Sequence, residues 1–328
     1  MMPAKKLRID IERCELQHPQ FLKQLLPLKQ RIEDAIDGAA SRIERVIGPS
    51  RVGKSMLINS LSRDYPETKV NGRRQVPVLV VPVPTPVSPL LLPSSVLTAL
   101  GIPIQGNITS GVMGKRMQEQ LKLAGTRVVI FEEASHLVEV GARVPSRSAG
   151  DWFKWLADSQ NLTLLLFGVP RLERLFDINE QLRMRASAAR RFLPYDSRIQ
   201  EGMQAFHTCV ATYANLFSAA GFPIALPPLA LTYQCYLLTG GLVGLLSRFM
   251  QELAGQLVGE MPRSVGFEDC RAAAVAIESV DSGQFSAFES FDCTEKIPAV
   301  ALHDAYVQVM NMNELKVPIL DSREGALQ

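Results

Sequence analysis

The sequence predicts an α/β fold: a parallel sheet flanked by helices, followed by a small all-helical subdomain. Three observations carry this expectation. Gly48-Pro-Ser-Arg-Val-Gly53-Lys54-Ser55 matches G-x-x-x-x-G-K-[ST]. It sits between a candidate strand, Ile43 to Ile47, and a helical run, Ser55 to Arg63. Arg127-Val-Val-Ile-Phe-Glu132-Glu133 is an apolar strand that ends in paired acids. Beyond Asp196 the apolar spacing becomes helical through to about residue 280. The expected organisation is an N-terminal arm and helix (1–40), an α/β core (41–199), a helical lid (200–280) and a C-terminal tail (281–328).

Residues 1–12 are basic and read as a solvated tail or, alternatively, an arm onto a partner. From Pro19 to Ala40 Phe21, Leu22, Leu25, Leu26, Leu28, Ile32 and Ile36 recur at mixed three- and four-residue spacing, and Pro27 predicts two pieces or a kink. Lys69–Gln75 reads as a polar turn. Val76-Pro-Val-Leu-Val-Val-Pro-Val reads as a buried strand whose prolines place it at an edge or give it irregular ends. Leu90–Leu100 and Gly111–Ala124 read as helices, the second carrying Lys115, Arg116 and Lys122. After the acid-ended strand come a polar loop, Arg143–Arg147, an amphipathic helix from Asp151, and a buried strand, Leu162 to Pro170. Gln181 to Tyr195 is the most basic stretch, with Arg183, Arg185, Arg190 and Arg191. Helices then follow at Gln200–Ala220, Leu229–Leu238, Leu242–Val258 and Val265–Ser279, with Thr239-Gly240-Gly241 as a stop signal and one further helix at about Val300–Met310.

The chemistry follows from the first two motifs. Glycines permit tight turns, so successive backbone N–H groups can surround phosphates, and the following helix N-terminus adds positive potential. Gly48, Pro49, Ser50, Arg51, Val52, Gly53, Lys54, Ser55 and Met56 are the expected cradle for ATP. Lys54 reaches the β- and γ-phosphates, and the Ser55 hydroxyl holds Mg²⁺. Glu132 is the expected metal-orienting acid and Glu133 the acid that polarises the attacking water. Arg183 and Arg185 are candidates to reach a neighbouring subunit's γ-phosphate, because guanidinium is always ionised and forked. No polar sensor stands at the end of the second buried strand, where Gly168 and Val169 lie.

A net charge of +2 excludes a polycation, so nucleic-acid binding would need a local patch. No run of 18 apolar residues appears, which argues against a membrane span, and nothing resembles a signal peptide. The five dispersed cysteines (14, 209, 235, 270, 293) lack C-x-x-C spacing, which fits reduced packing residues in a cytoplasm.

From His18 to Leu253 the chain resembles the TnsC/TniB group of AAA+ ATPases. The matching pieces are His18-Pro19, Gly48–Ser55, Val76–Val83, Val128–Leu137, Phe153-Lys-Trp-Leu-Ala-Asp and Phe167-Gly-Val-Pro. They continue with Gln181-Leu-Arg, Arg191-Phe-Leu-Pro-Tyr and Thr239-Gly-Gly-Leu-Val-Gly. Glu132 stands where Asp is usual, Val169 where Thr is common, and Leu245 and Leu246 where a lid arginine is expected. The resemblance implies a bacterial, cytoplasmic, DNA-associated AAA+ ATPase with slow hydrolysis. ATP-bound protomers would form a homo-oligomeric ring or filament on double-stranded DNA. That assembly would link a TniQ-like target selector to a TnsA/TnsB-like transposase. Lys115, Arg116 and Arg147 are the candidate DNA contacts. The alternatives are another AAA+ loader or initiator, a P-loop small-molecule kinase, and a non-hydrolysing ATP-gated scaffold.

Overall fold

The computed structural model describes residues 3–104, 106, 109–139, 145–278, 290–292 and 297–319. The chain forms two compact units, Pro19–Phe192 and Met1–His18 with Leu193–Gln328. The first helix, α1 (Pro3–Arg13), therefore belongs with the C-terminal helices.

The Pro19–Phe192 unit begins with α2 (Pro19–Ile36), β1 (Ile43–Ile47) and α3 (Lys54–Asp64). A hairpin follows, β2 (Thr68–Val70) and β3 (Arg73–Gln75), then β4 (Val78–Pro82). Helices α4 (Leu91–Ala99) and α5 (Ser110–Leu123) lead to β5 (Val128–Glu132) and a 3-10 turn, Ala134–Val138. Next come α6 (Ser146–Gln160), β6 (Thr163–Gly168), α7 (Glu173–Ile178), α8 (Glu180–Arg185) and β7 (Arg190–Arg191). The sheet order is β4-β5-β6-β1-β7, and every pair is parallel. β5 and β6 are covered on both faces, which is why both read as unbroken apolar runs. β4 is an edge strand and so tolerates Pro82. On one face of the sheet Phe131 meets Phe153 of α6 edge-on, with ring centroids 4.9 Å apart.

The second unit holds α9 (Gln200–Ala219), α10 (Pro228–Thr239), α11 (Val243–Gln256), α12 (Phe267–Glu278) and α13 (Ala299–Met312). α1 packs on α11, and α13 packs on α10. Tyr195 ties this unit together. Its N–H donates to Gly241 O at 3.1 Å, its carbonyl accepts from the Tyr236 hydroxyl, and its own hydroxyl lies 2.8 Å from His18 Nδ1. Burial lowers the His18 imidazole to about 4, so the ring is neutral at pH 7 and can accept that hydroxyl proton. Gly240 (φ 56°) caps α10 in the left-handed region, as the Gly-Gly stop signal requires. No single helix among the described residues is long and apolar enough to cross a membrane. The apolar pair α10 and α11, bent by 112° at this turn, directs its apolar side chains into the unit's own core.

Several expectations from sequence are corrected. Residues 3–13 are not a solvated tail. Ala4, Leu7 and Ile11 recur on one face and are buried, although charges surround them in sequence. α2 runs through Pro27 as one helix. The carbonyl that Pro27 leaves unpaired belongs to exposed Lys23, where water can replace the lost bond. Lys69–Gln75 is not a simple turn but a hairpin around Asn71 (φ 51°) and Gly72 (φ 76°), the Asn-Gly pair that favours a two-residue connection. Arg190-Arg191, in the stretch read only as basic, forms the fifth strand of the sheet. The C-terminal helix spans Ala299–Met312 and buries Leu302, Tyr306, Val309 and Met310, so part of the expected tail is core. Cys293, Arg143 and Ser279 lie outside the described residues, as does much of 281–328.

Gly241 combines φ 84° with crowding, since an added Cβ would come 2.3 Å from Tyr195 O. Gly241→Ala is expected to destabilise the chain by at least about 2 kcal/mol, measured by chemical denaturation.

Candidate nucleotide-binding site

The site forms at the C-terminal ends of the parallel strands, where open α/β sheets bind ligands. β1 delivers Gly48 directly into the loop. Arg51 (φ 64°) and Gly53 (φ 116°) adopt left-handed backbone and curl the chain tightly ahead of α3. Gly53 caps that helix without a side-chain hydrogen bond, so the first-turn N–H groups face an anion site uncompeted by their own cap. Pro49 and Val52 are buried, Ser50, Arg51 and Ser55 are exposed, and Met56 is partly buried.

Lys54 is only 7% exposed. Its Nζ donates to Gly48 O at 2.9 Å and to Pro49 O at 2.8 Å. Burial lowers its pKa to about 8, although Glu133 and Glu132 oppose the shift. The two carbonyls hold the buried ammonium at the loop, and the two carboxylates favour its charged form.

β5 brings the acids to the same place. Ser55 Oγ donates to Glu132 Oε1 at 2.8 Å, joining residues 77 apart in sequence. Glu132 ends β5 opposite Pro82 of β4. Glu133 follows in the left-handed conformation (φ 56°, ψ 38°), which costs an L-residue roughly 1–2 kcal/mol. Such strain concentrates at functional positions. Beside them His136 Nδ1 lies 2.9 Å from Thr85 Oγ1, tying the turn after β5 to the turn after β4. The end of β6 offers Gly168, whose missing Cβ leaves room for Ser135 N and Leu172. Among the described residues no group of three or more His, Cys, Asp and Glu could hold a metal. Ser55 and Glu132 supply two oxygens, which suits Mg²⁺ completed by phosphate and water.

The arginines lie elsewhere. Ser187 N donates to Ile43 O at 2.9 Å, so α8 ends beside the start of β1. The phosphate loop begins at the other end of β1, roughly 13 Å away by strand rise. Arg183 and Arg185 are thus not brought to their own chain's loop. Arg185 pairs with Asp158 through its two terminal guanidinium nitrogens, at 3.1 and 3.2 Å. Arg183 is exposed and makes no ion pair among the described residues. Lys115 is exposed on α5, while Arg116 donates to Pro103 O at 3.2 Å. Gly114 of α5 meets Trp155 of α6, and Arg147 lies eight residues before Trp155, roughly 12 Å along the helix. Arg147 therefore stands apart from the α5 pair.

Two residues that support the site carried no assigned role in the sequence, although Phe192 falls within the Arg191-Phe-Leu-Pro-Tyr piece of the resemblance. Glu44, fully buried on β1, accepts from Arg31 Nε at 3.0 Å, Ser187 Oγ at 2.8 Å and Arg190 Nε at 3.2 Å. A lone acid inside Ile43–Ile47 was the available signal. Phe192 lies against the loop glycines, and nothing local in the sequence indicates that.

A family model described as bacterial TniB protein matches residues 19–193, more than half of the chain. No curated protein matches it. Among solved structures, the Aeropyrum pernix ORC2 protein in ADPNP–ADP complexes is 14% identical with a TM-score of 0.58, covering 91% of this chain and 82% of that one. The Aeropyrum pernix ORC1 protein in complex with DNA is 12% identical with a TM-score of 0.59, covering 94% and 87%. Drosophila ORC bound to DNA is 11% identical with a TM-score of 0.56, covering 97% and 80%. At such identities the likeness is one of fold, and that fold is the AAA+ arrangement of a helix-flanked parallel sheet followed by a helical region.

The buried Lys54 sets a pH dependence. Its folded pKa of about 8 lies below the ordinary 10.5, so the unfolded chain binds more protons between those values. Stability from this group is thus fully present only above pH 10.5 and is lost as pH falls through 8. Nucleotide-free wild type is expected to gain stability relative to Lys54→Met as pH rises across that window, measured by paired denaturation curves.

Proposed function

This chain belongs to the TniB family of bacterial proteins, and on that premise we propose that it is an ATP-dependent regulator of DNA transposition. The observation that carries the ATPase reading is the Ser55–Glu132 hydrogen bond beside buried Lys54. It joins the loop hydroxyl and the strand acid, the two groups that would hold Mg²⁺. Mg²⁺ bound there would neutralise and orient the phosphates. Lys54 would bind the phosphates as a point charge, and the loop amides would enclose them. Glu133 would accept the proton of the attacking water. Arg183, exposed and far from its own loop, would lend its charge to a neighbouring protomer's site.

Protomers would assemble on double-stranded DNA as a ring or filament in the bacterial cytoplasm. A few cations per protomer, repeated along the duplex, give salt-sensitive and sequence-independent binding despite a net charge of +2. Lys115 and Arg116 would contribute there, with Arg147 on a separate part of the surface. The assembly would connect a TniQ-like selector to a TnsA/TnsB-like transposase, and hydrolysis would reset it. Family membership supports these partners. The DNA-bound proteins among the similar folds support the duplex as ligand.

Duplex binding measured with and without ATP, across a salt titration, tests the reading. Wild type is expected to assemble only with ATP. Lys54→Ala is expected to lose assembly and at least tenfold in ATP affinity. Glu133→Gln is expected to keep ATP binding, lose about a hundredfold in turnover and form longer-lived assemblies. Tight ATP binding by a monomer indifferent to DNA would overturn the reading.

A further inference from the structure

We propose that Phe192 is a positioning residue for the phosphate loop, the wall against which Gly48 and Gly53 are held. The inference rests on the nucleotide-binding reading of that loop. A Cβ on Gly48 would come 2.2 Å from Phe192 O, a distance that no side chain tolerates. A Cβ on Gly53 would meet the far edge of the Phe192 ring at 3.5 and 3.6 Å. One residue thus touches both ends of the glycine motif, its backbone at the first glycine and its ring at the second. The ring is fully buried.

Phe192 is itself held by the sheet. Its N–H donates to Ile47 O at 2.8 Å, extending the β1–β7 ladder by one bond. Arg191 O accepts from Gln24 Nε2 of α2 at 3.0 Å. Arg190 is anchored on the buried Glu44 of β1, which Arg31 of α2 also grips. The segment from Ser187 to Phe192 follows β1 along its whole length, from the Ile43 carbonyl to the loop. The wall is therefore anchored to both β1 and α2, and it comes from 144 residues later in sequence than Gly48. A loop with glycines at both ends is intrinsically mobile. Packing against a fixed wall is what narrows it to one shape before a ligand arrives.

Removing part of the ring should loosen the loop locally rather than the fold generally. Phe153→Leu makes the same chemical deletion at another fully buried phenylalanine of this unit, on α6. Both variants are compared with wild type by amide hydrogen exchange over residues 50–55 without nucleotide, by affinity for a fluorescent ATP analogue, and by thermal unfolding. Phe192→Leu is expected to exchange those amides at least tenfold faster and to bind the analogue at least tenfold more weakly. Its unfolding temperature should fall no further than that of Phe153→Leu. Should Phe192→Leu not fold, Phe192→Met is read in the same way. Loop exchange within twofold of wild type, or faster only in step with Phe153→Leu, overturns the proposal. If wild type binds no nucleotide, the reading of the site fails, and loop exchange alone still decides the role of Phe192.

Discussion

Strand β1 is hydrogen-bonded on both edges, to β6 on one side and to β7 on the other, and the site depends on that pairing. The β6 side sets Gly48 beside Gly168, with Gly48 N donating to Gly168 O. The β7 side brings Phe192 against the loop glycines. Parallel pairing aligns strand ends, so the loop after β1 and the acids after β5 emerge on one edge of the sheet. The buried carboxylate of Glu44 fixes the β7 side. It is satisfied by two guanidinium groups and a hydroxyl, the condition under which a buried acid is tolerable.

The site stores unfavourable terms where a ligand could relieve them. Lys54 is buried, and burial lowers its pKa despite the nearby acids. Glu133 holds a backbone conformation that an L-residue reaches at some cost. The helix α3 begins without a side-chain cap. Each of these opposes folding slightly, and the buried cation and the uncapped helix N-terminus are features that a bound anion would offset. The rest of the unit, with β5 and β6 covered on both faces, supplies the compensating burial.

The helical unit is organised differently, around polar contacts inside an apolar bundle. Tyr195 bonds to the chain at Gly241, receives the Tyr236 hydroxyl and meets neutral His18. The pieces His18, Tyr195 and Thr239-Gly-Gly lie far apart in sequence yet meet at this one residue. Gly240 and Gly241 are glycine for steric reasons as well as conformational ones, because Val309, Ala305 and the Tyr195 backbone occupy the space a Cβ would need.

The sequence by itself determined the phosphate loop, the acid-ended strand, the helical character of the second unit and the stop at Gly240. These are local signals: fixed spacing, unbroken apolar runs, 3.6-residue periodicity and a left-handed cap. The Asn71-Gly72 pair is a local turn signal too, but its strands are only three residues long and exposed, so no apolar alternation marks them. Only the tertiary structure decided that Arg190-Arg191 is a strand, that Ala4, Leu7 and Ile11 are core, and that Phe192 walls the loop. A two-residue strand carries no periodicity, three apolar residues among charges carry little, and a contact across 144 residues leaves no local trace. Their fate was set by the partners that the fold brought to them: the open edge of β1, the surface of α11 and the glycines of the loop.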